Sequence, residues 1–170
     1  ADSFEYNKET NILIAKDNVK MEDTIENYTI FSDQVTYFKN DEKILTKGNS
    51  KASYVNGQLI QADSFEYNKE TNILIAKDNV KMEDTIENYT IFSDQVTYFK
   101  NDEKILTKGN SKASYVNGQL IQADSFEYNK ETNILIAKDN VKMEDTIENY
   151  TIFSDQVTYF KNDEKILTKG

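Results

Sequence analysis

The feature that most constrains this chain is exact repetition. Residues 1–61 recur without a change at 62–122, and the same unit begins again at 123 and runs to 170. A chain of identical units offers no place for a unique site, because any constellation inside one unit exists in each complete copy. Such a chain folds by stacking equal units, each burying against its neighbours what it cannot bury alone. Natural repeats drift at solvent positions, yet here even the lysines, glutamates and asparagines are unchanged. We therefore read the chain as an engineered concatemer of one parent unit, in which any function is to be sought.

A weaker repeat lies inside the unit. Aligning Asp2, Asp33 and Asp63 sets Ala1 with Ser32 and Ala62, Phe4 with Val35 and Phe65, and Tyr6 with Tyr37 and Tyr67. Leu13 then matches Ile44, Lys16 matches Lys47, Asn18 matches Asn49, and Lys20 matches Lys51. The module is about 30 residues long and recurs nearly six times.

Within a module, apolar and polar residues alternate with period two, the signature of half-buried strands. Ser3-Phe4-Glu5-Tyr6-Asn7 and Asn18-Val19-Lys20-Met21-Glu22 show it, as do Tyr28 with Ile30 and Val35 with Tyr37. Polar turn clusters separate these runs at Lys8–Asn11, Asp23–Glu26 and Lys39–Glu42, and Asn56-Gly57 is a hairpin pair. The turns leave strands of about 10 to 12 residues, longer than usual, so each is predicted to bend near its middle. Lys16-Asp17, Ser32-Asp33 and Lys47-Gly48 are the predicted bends, where the alternation changes register. Short turns make neighbours antiparallel, giving an all-β, elongated stack of about eleven or twelve bent strands around an apolar interior. A parallel β-solenoid is the competing architecture, and the reversing turns disfavour it. The whole of 1–170 reads as a single repeat domain.

Composition removes many function classes. With no Cys and no His there is neither a thiolate nor an imidazole to serve as nucleophile, general base or zinc ligand. Neither a catalytic site, a metal nor a cofactor is implied, and identical carboxylates in every module suit architecture better than an active site. The formal charge of −10, with lysine the only base, argues against nucleic acid. No apolar run approaches the roughly 20 residues of a membrane-spanning helix, and no signal peptide opens the sequence. The chain thus reads as soluble and not membrane-spanning.

Three stretches carry a resemblance: Ala1-Asp2-Ser3-Phe4-Glu5-Tyr6, then Leu13-Ile14-Ala15-Lys16-Asp17-Asn18-Val19, then Ser32-Asp33-Gln34-Val35-Thr36-Tyr37. Together they resemble the OstA-like repeat of lipopolysaccharide-transport proteins, the family of LptA and the N-terminal domain of LptD. The family pattern has an Ala-Asp step, a spaced tyrosine, a turn, and a Leu-x-Ala-x-Gly-Asn-Val stretch. Two departures stand out: Asp17 replaces the preferred Gly, and Ser50 the preferred Val after Gly48-Asn49. The resemblance implies a V-shaped antiparallel β-jellyroll, or β-taco, whose groove carries the acyl chains of lipopolysaccharide or another acyl lipid. It also implies a periplasmic setting for the parent.

The inward set predicted from alternation is Phe4, Tyr6, Leu13, Ala15, Val19, Met21, Tyr28, Ile30, Val35, Tyr37 and Ile44. Its second copy is Phe65, Tyr67, Leu74, Val80, Met82, Tyr89, Ile91, Val96, Tyr98 and Ile105. The third is Phe126, Tyr128, Leu135, Val141, Met143, Tyr150, Ile152, Val157 and Tyr159. These residues either fill a packed core or line a groove for acyl chains, and tyrosines favour a wet rim because the ring packs while the hydroxyl stays solvated. Ile12, Ile14, Phe31, Phe38 and Leu59 fall on the opposite face. Asp2, Asp33, Asp63, Asp94, Asp124 and Asp155 are read as structural corners that accept hydrogen bonds from nearby backbone N–H groups. Asn18, Asn49, Asn79, Asn110 and Asn140 are read as satisfying backbone groups at a second corner.

Three readings compete: a lipid conduit, a synthetic β-scaffold without a ligand, and an adhesin-type stalk. One further expectation concerns the ends. The segment 43–48 is predicted to lie beside 63–68, so the copies at 165–170 and 2–7 are predicted to pair between molecules, joining chains head-to-tail.

Overall fold

The computed structural model covers residues 1–170 and consists of sixteen strands in one antiparallel sheet, folded over along a line. In chain order the first repeat supplies β1 (Ser3–Asn7), β2 (Ile12–Asp23), β3 (Tyr28–Phe38), β4 (Lys43–Lys47), β5 (Ser50–Tyr54) and β6 (Gln58–Ala62). The second supplies β7 (Ser64–Asn68), β8 (Ile73–Asp84), β9 (Tyr89–Phe99), β10 (Lys104–Lys108), β11 (Ser111–Tyr115) and β12 (Gln119–Ala123). The third adds β13 (Ser125–Asn129), β14 (Ile134–Asp145), β15 (Tyr150–Phe160) and β16 (Lys165–Lys169).

Strands β2, β3, β8, β9, β14 and β15 bend through the fold line unbroken, as the long alternating runs predict. Four other passes break there into the pairs β4/β5, β6/β7, β10/β11 and β12/β13. The fold line divides the sheet into two arms. The first holds β1, β4, β7, β10, β13, β16 and half of each bent strand. The second holds β5, β6, β11, β12 and the other halves. The result is an all-β, V-shaped antiparallel jellyroll.

The corner is built by alternate passes. On one kind, two consecutive residues adopt left-handed backbone: Asp17-Asn18, Gly48-Asn49, Asp78-Asn79, Gly109-Asn110 and Asp139-Asn140, with φ from 46 to 85°. Gly, Asn and Asp tolerate this region best, which explains why Asp17 can stand where Gly48 stands one module later. On the other kind, the aspartate backbone N–H donates to a left-handed residue's carbonyl: Asp33 to Gly48 (3.0 Å), Asp63 to Asp78 (3.0 Å), Asp94 to Gly109 (3.0 Å) and Asp124 to Asp139 (3.0 Å).

The aspartate side chains correct the sequence reading. Their carboxylates accept not from backbone but from the corner asparagines: Asn18 Nδ2 donates to Asp2 (3.0 Å), Asn49 to Asp33 (2.9 Å), Asn79 to Asp63 (3.0 Å), Asn110 to Asp94 (2.9 Å) and Asn140 to Asp124 (2.9 Å). There is thus one corner rather than two, with Asp and Asn as partners across it. The partners are 16 residues apart and meet only after the chain has reversed. Just inside, Ser50 is buried because its hydroxyl bonds Thr46 (2.5 Å) and Ser32 (3.2 Å), a pairing Val cannot make. Asp155 occupies the corresponding position in the last module, against Gly170.

Between the arms lies a continuous cluster of 33 buried apolar residues. Each strand leans one side chain inward and the next outward, so register fixes the contents of this interior. The outer face carries Ile12, Ile14, Phe38 and Leu59 half-buried and Phe31 41 % exposed, a real outer stripe.

Candidate functional site

The apolar interior runs the length of the stack. On the first arm its deepest file is the cross-strand series Tyr6, Leu13, Tyr37, Ile44, Tyr67, Leu74, Tyr98, Ile105, Tyr128, Leu135, Tyr159, Ile166. Phe65, Ala76, Val96, Phe126, Ala137 and Val157 lie nearer the corner in a second file. The facing arm contributes Met21, Ile30, Ala52, Ile60, Met82, Ile91, Ala113, Ile121, Met143 and Ile152, with Val19, Val80 and Val141 toward the corner.

Most inward residues named from sequence are buried here, but two are not. Phe4 is 68 % and Tyr6 47 % exposed, because β1 has a single strand neighbour and nothing from the second arm covers it. The equivalent Phe65 and Phe126 are 2 % exposed. Leu13, Met21, Tyr37, Tyr150 and Ile152 are half-buried, lying in the outer layers of the stack. Ala52, Tyr54 and Ile60 were missed, although Ala52 and Ile60 are fully buried. Alternation across Asn56-Gly57 carries their signal: Ala52 and Tyr54 before it share a face with Gln58, Ile60 and Ala62 after it.

Opposite the corner, the arms meet at a mouth. Tyr28 of the second arm packs edge-on against Tyr67 of the first at 5.2 Å, and Tyr54 against Tyr98 at 5.6 Å. One unit on, Tyr89 meets Tyr128 at 5.2 Å and Tyr115 meets Tyr159 at 5.6 Å. Edge-to-face pairs contribute about 0.5–1.5 kcal/mol each beyond area burial. The arms are therefore in contact, and tyrosine rungs close the interior. Burial, with help from neighbouring phenols and carboxylates, raises the pKa of Tyr28, Tyr67, Tyr89 and Tyr128 well above the ordinary value of 10.0. Tyr98 is pushed up to about 12 by burial, which the hydrogen bond from Asn56 partly offsets.

Above the rungs, polar groups span the gap. Lys69 lies 3.7 Å from Asp23, Lys130 3.8 Å from Asp84, and Lys100 and Lys161 donate to the carbonyls of Glu26 (2.6 Å) and Glu87 (2.7 Å). Hydrogen bonds from the Glu26 and Ile25 backbone hold the Asp23 carboxyl below its ordinary range, Lys69 assisting. No three acidic side chains stand close enough to hold a metal ion, and the corner aspartates are spent on asparagines. No helix is long and apolar enough to cross a membrane.

Comparison with known proteins places this geometry. The solved structure of LptH from Pseudomonas aeruginosa, described as the LptA-homologous periplasmic component of the lipopolysaccharide transport device, superposes with a TM-score of 0.62 at 10 % identity. That match covers 69 % of this chain and 86 % of the LptH chain, and it shows the shared fold. No curated protein sequence matches. The family model for the LptA/(LptD N-terminal domain) LPS transport protein matches residues 59–165, more than half of the sequence. The chain belongs to that family.

Proposed function

We propose that this chain is an engineered concatemer, one repeat domain over 1–170, whose parent is a periplasmic lipopolysaccharide conduit of the LptA type. In this reading the inward residues from Leu13 to Tyr159 form the surface that acyl chains contact. The observation that carries it is the continuity of the apolar interior through every unit, bounded by a corner on one side and a mouth closed by tyrosine contacts on the other. Acyl chains enter by parting the arms, exchanging tyrosine contacts for lipid contacts. The protein is not an enzyme.

A second reading, a ligand-free scaffold, is favoured by the depth at which Tyr67, Tyr98 and Tyr128 are packed, each 1 % exposed or less. Titration with an environment-sensitive acyl probe separates the two. Saturable binding, lost on Tyr67→Asp in a chain that still melts cooperatively, supports the conduit; no binding by the unaltered chain leaves the scaffold.

The chain is also proposed to join itself head-to-tail through its end strands. Inside the chain β4 pairs with β7 through Lys43–Asn68, Ile44–Tyr67 and Leu45–Glu66. Strands β16 and β1 are copies of these two, so the junction repeats as Lys165–Asn7, Ile166–Tyr6 and Leu167–Glu5 between chains, covering the exposed Tyr6. Sedimentation that shows only monomer at high concentration would refute this.

A further inference from the structure

We infer that Asn56 and Asn117 are sites at which the folded chain converts its own asparagine into aspartate and isoaspartate, with Tyr98 and Tyr159 as proton donors to the departing ammonia. This goes beyond the conduit reading and does not depend on it.

Asparagine is common in this sequence, but only Asn56 and Asn117 precede glycine; elsewhere lysine, isoleucine, valine, tyrosine, aspartate or serine follows. A backbone nitrogen that attacks the preceding side-chain amide closes a succinimide ring, and glycine puts no Cβ in the way of that approach. Both turns hold the pair alike. Gly57 and Gly118 are left-handed, with φ of 90 and 89°, and their N–H groups close the turn on the carbonyls of Tyr54 (3.1 Å) and Tyr115 (3.2 Å). Asn56 and Asn117 are exposed, so water reaches both.

The side-chain amide is gripped at its two ends. The Gln58 N–H donates to Asn56 Oδ1, and the Gln119 N–H to Asn117 Oδ1, each at 3.3 Å. A donor there draws electrons from the amide carbon and stabilises the oxyanion that attack creates. At the other end Asn56 Nδ2 donates to the hydroxyl of Tyr98 at 3.4 Å, and Asn117 Nδ2 to that of Tyr159 at 3.3 Å. Each phenol accepts in this contact and keeps its own proton. Burial holds that proton on, pushing Tyr98 up to about 12 and Tyr159 above the ordinary 10.0.

The atoms balance without a co-reactant other than water. Solvent base takes the Gly57 N–H proton, the bond to Tyr54 is given up, and the nitrogen joins Asn56 Cγ. The Cγ–Nδ2 bond breaks as the leaving nitrogen takes the Tyr98 proton and departs as ammonia; water returns a proton to the phenolate. Water then adds to either carbonyl of the ring, leaving aspartate or isoaspartate at position 56. The phenol is a general acid placed on the leaving group, and contacts of this length tighten as charge develops. The product carboxylate stands in a cavity lined by Asp84, Glu87, Glu103 and Glu131, with Lys130 the one cation among its lining residues. Each conversion therefore adds like charge to the mouth and removes the tie between Asn56 and Tyr98.

The test is Tyr98→Phe, which leaves Asn117 and Tyr159 as a control within the same molecule. Both chains are incubated in mildly alkaline buffer and followed by peptide mass and isoaspartate mapping. In the unaltered chain Asn56 and Asn117 are expected to convert at matching rates while the other asparagines stay intact. In Tyr98→Phe, Asn56 slows about tenfold and Asn117 keeps its rate. The reciprocal Tyr159→Phe slows Asn117 alone and keeps the test open if one variant fails to fold. In urea, where no phenol is positioned, both sites convert alike in every chain. No conversion at either site in the folded chain, or conversion spread over the other asparagines, overturns the inference. Equal rates at the two sites in a folded variant do so as well, and so does a difference that persists in urea, because it would not come from the fold.

Discussion

Raising the pH probes the closed mouth without any substitution. Burial, first, and neighbouring phenols and carboxylates, second, lift Tyr28, Tyr54, Tyr67, Tyr89, Tyr115 and Tyr128 above the ordinary value of 10.0. All six are 6 % exposed or less. Above pH 10 the unfolded chain loses phenolic protons that the folded chain keeps, so the unfolded state binds fewer protons and stability falls as pH rises. The contribution is whole below the unfolded pKa and is lost on the way up to the folded values. One pH unit above its unfolded pKa, a tyrosine held neutral costs about 1.4 kcal/mol, and six together about 8 kcal/mol. Total stabilities of domains are about 5–15 kcal/mol, so unfolding follows within about one to two pH units of the tyrosine pKa. The absorbance change of the six buried tyrosines and the loss of the far-ultraviolet circular dichroism signal, recorded together, should fall in one steep, coincident step. A gradual rise of absorbance centred near pH 10 with the strand signal intact would refute the reasoning, since the phenols would then reach water through an open groove.

Acid acts with the opposite sign. Glu66 and Glu127 are lowered chiefly by hydrogen bonds from Lys43 and Lys104, and Asp23 by backbone N–H groups, so their stabilisation is present above the ordinary carboxylate range and fades as pH drops through the lowered values. For such partly solvated pairs about 0.2–1 kcal/mol each is expected, read as a lower melting temperature at about pH 3 than at pH 7; an unchanged melt contradicts it. In the core, Ile105→Ala removes a fully buried residue flanked by Tyr98 and Tyr128 and should cost about 3 kcal/mol in urea denaturation, whereas Ile166→Ala, flanked by Tyr159 alone, should cost half of that or less. Equal costs would show that strand neighbours do not set the burial. At the corner, Gly109 has φ +85° and a Cβ there would lie 2.5 Å from Asp94 Oδ2, so Gly109→Ala should destabilise by about 1–2 kcal/mol. Loss under half a kilocalorie would mean that the corner yields freely.

The strands, the bends and the two faces were legible because period-two alternation is a local property. Val19 and Met21 point inward together whatever surrounds them, and Asn56-Gly57 announces its own turn. What stayed hidden depends on contacts between distant residues. The Asn49–Asp33 bond needs the chain to have folded back, so sequence marks both residues as corner material but not as partners. Phe4 and Phe65 are indistinguishable in sequence, and only the strand count beside each separates 68 % from 2 % exposure. Arm separation was likewise illegible: the alternation that puts Tyr28 and Tyr67 inward is the same for a groove and for a core, and only their 5.2 Å contact shows that the arms meet.

The corner and the mouth are mechanically one system. A slip of one residue between any two strands would turn every inward side chain outward beyond that point, and a long stack multiplies the opportunities for such a slip. The left-handed pair on alternate passes, tied to an aspartate on the next, pins register at a point where only Gly, Asn or Asp is comfortable. That register is what lets Lys100 find Glu26 and Asn72 find Glu26, partners 74 and 46 residues away in sequence and on opposite arms. The arms are thus joined through the corner by continuous strands and their hydrogen bonds, and at the mouth by side chains alone: tyrosine contacts, long ion pairs and lysines that donate to carbonyls across the gap. In the conduit reading proposed above, lipid entry requires the arms to part at the mouth, where side chains alone join them, while the strand pairing that runs through the corner stays intact.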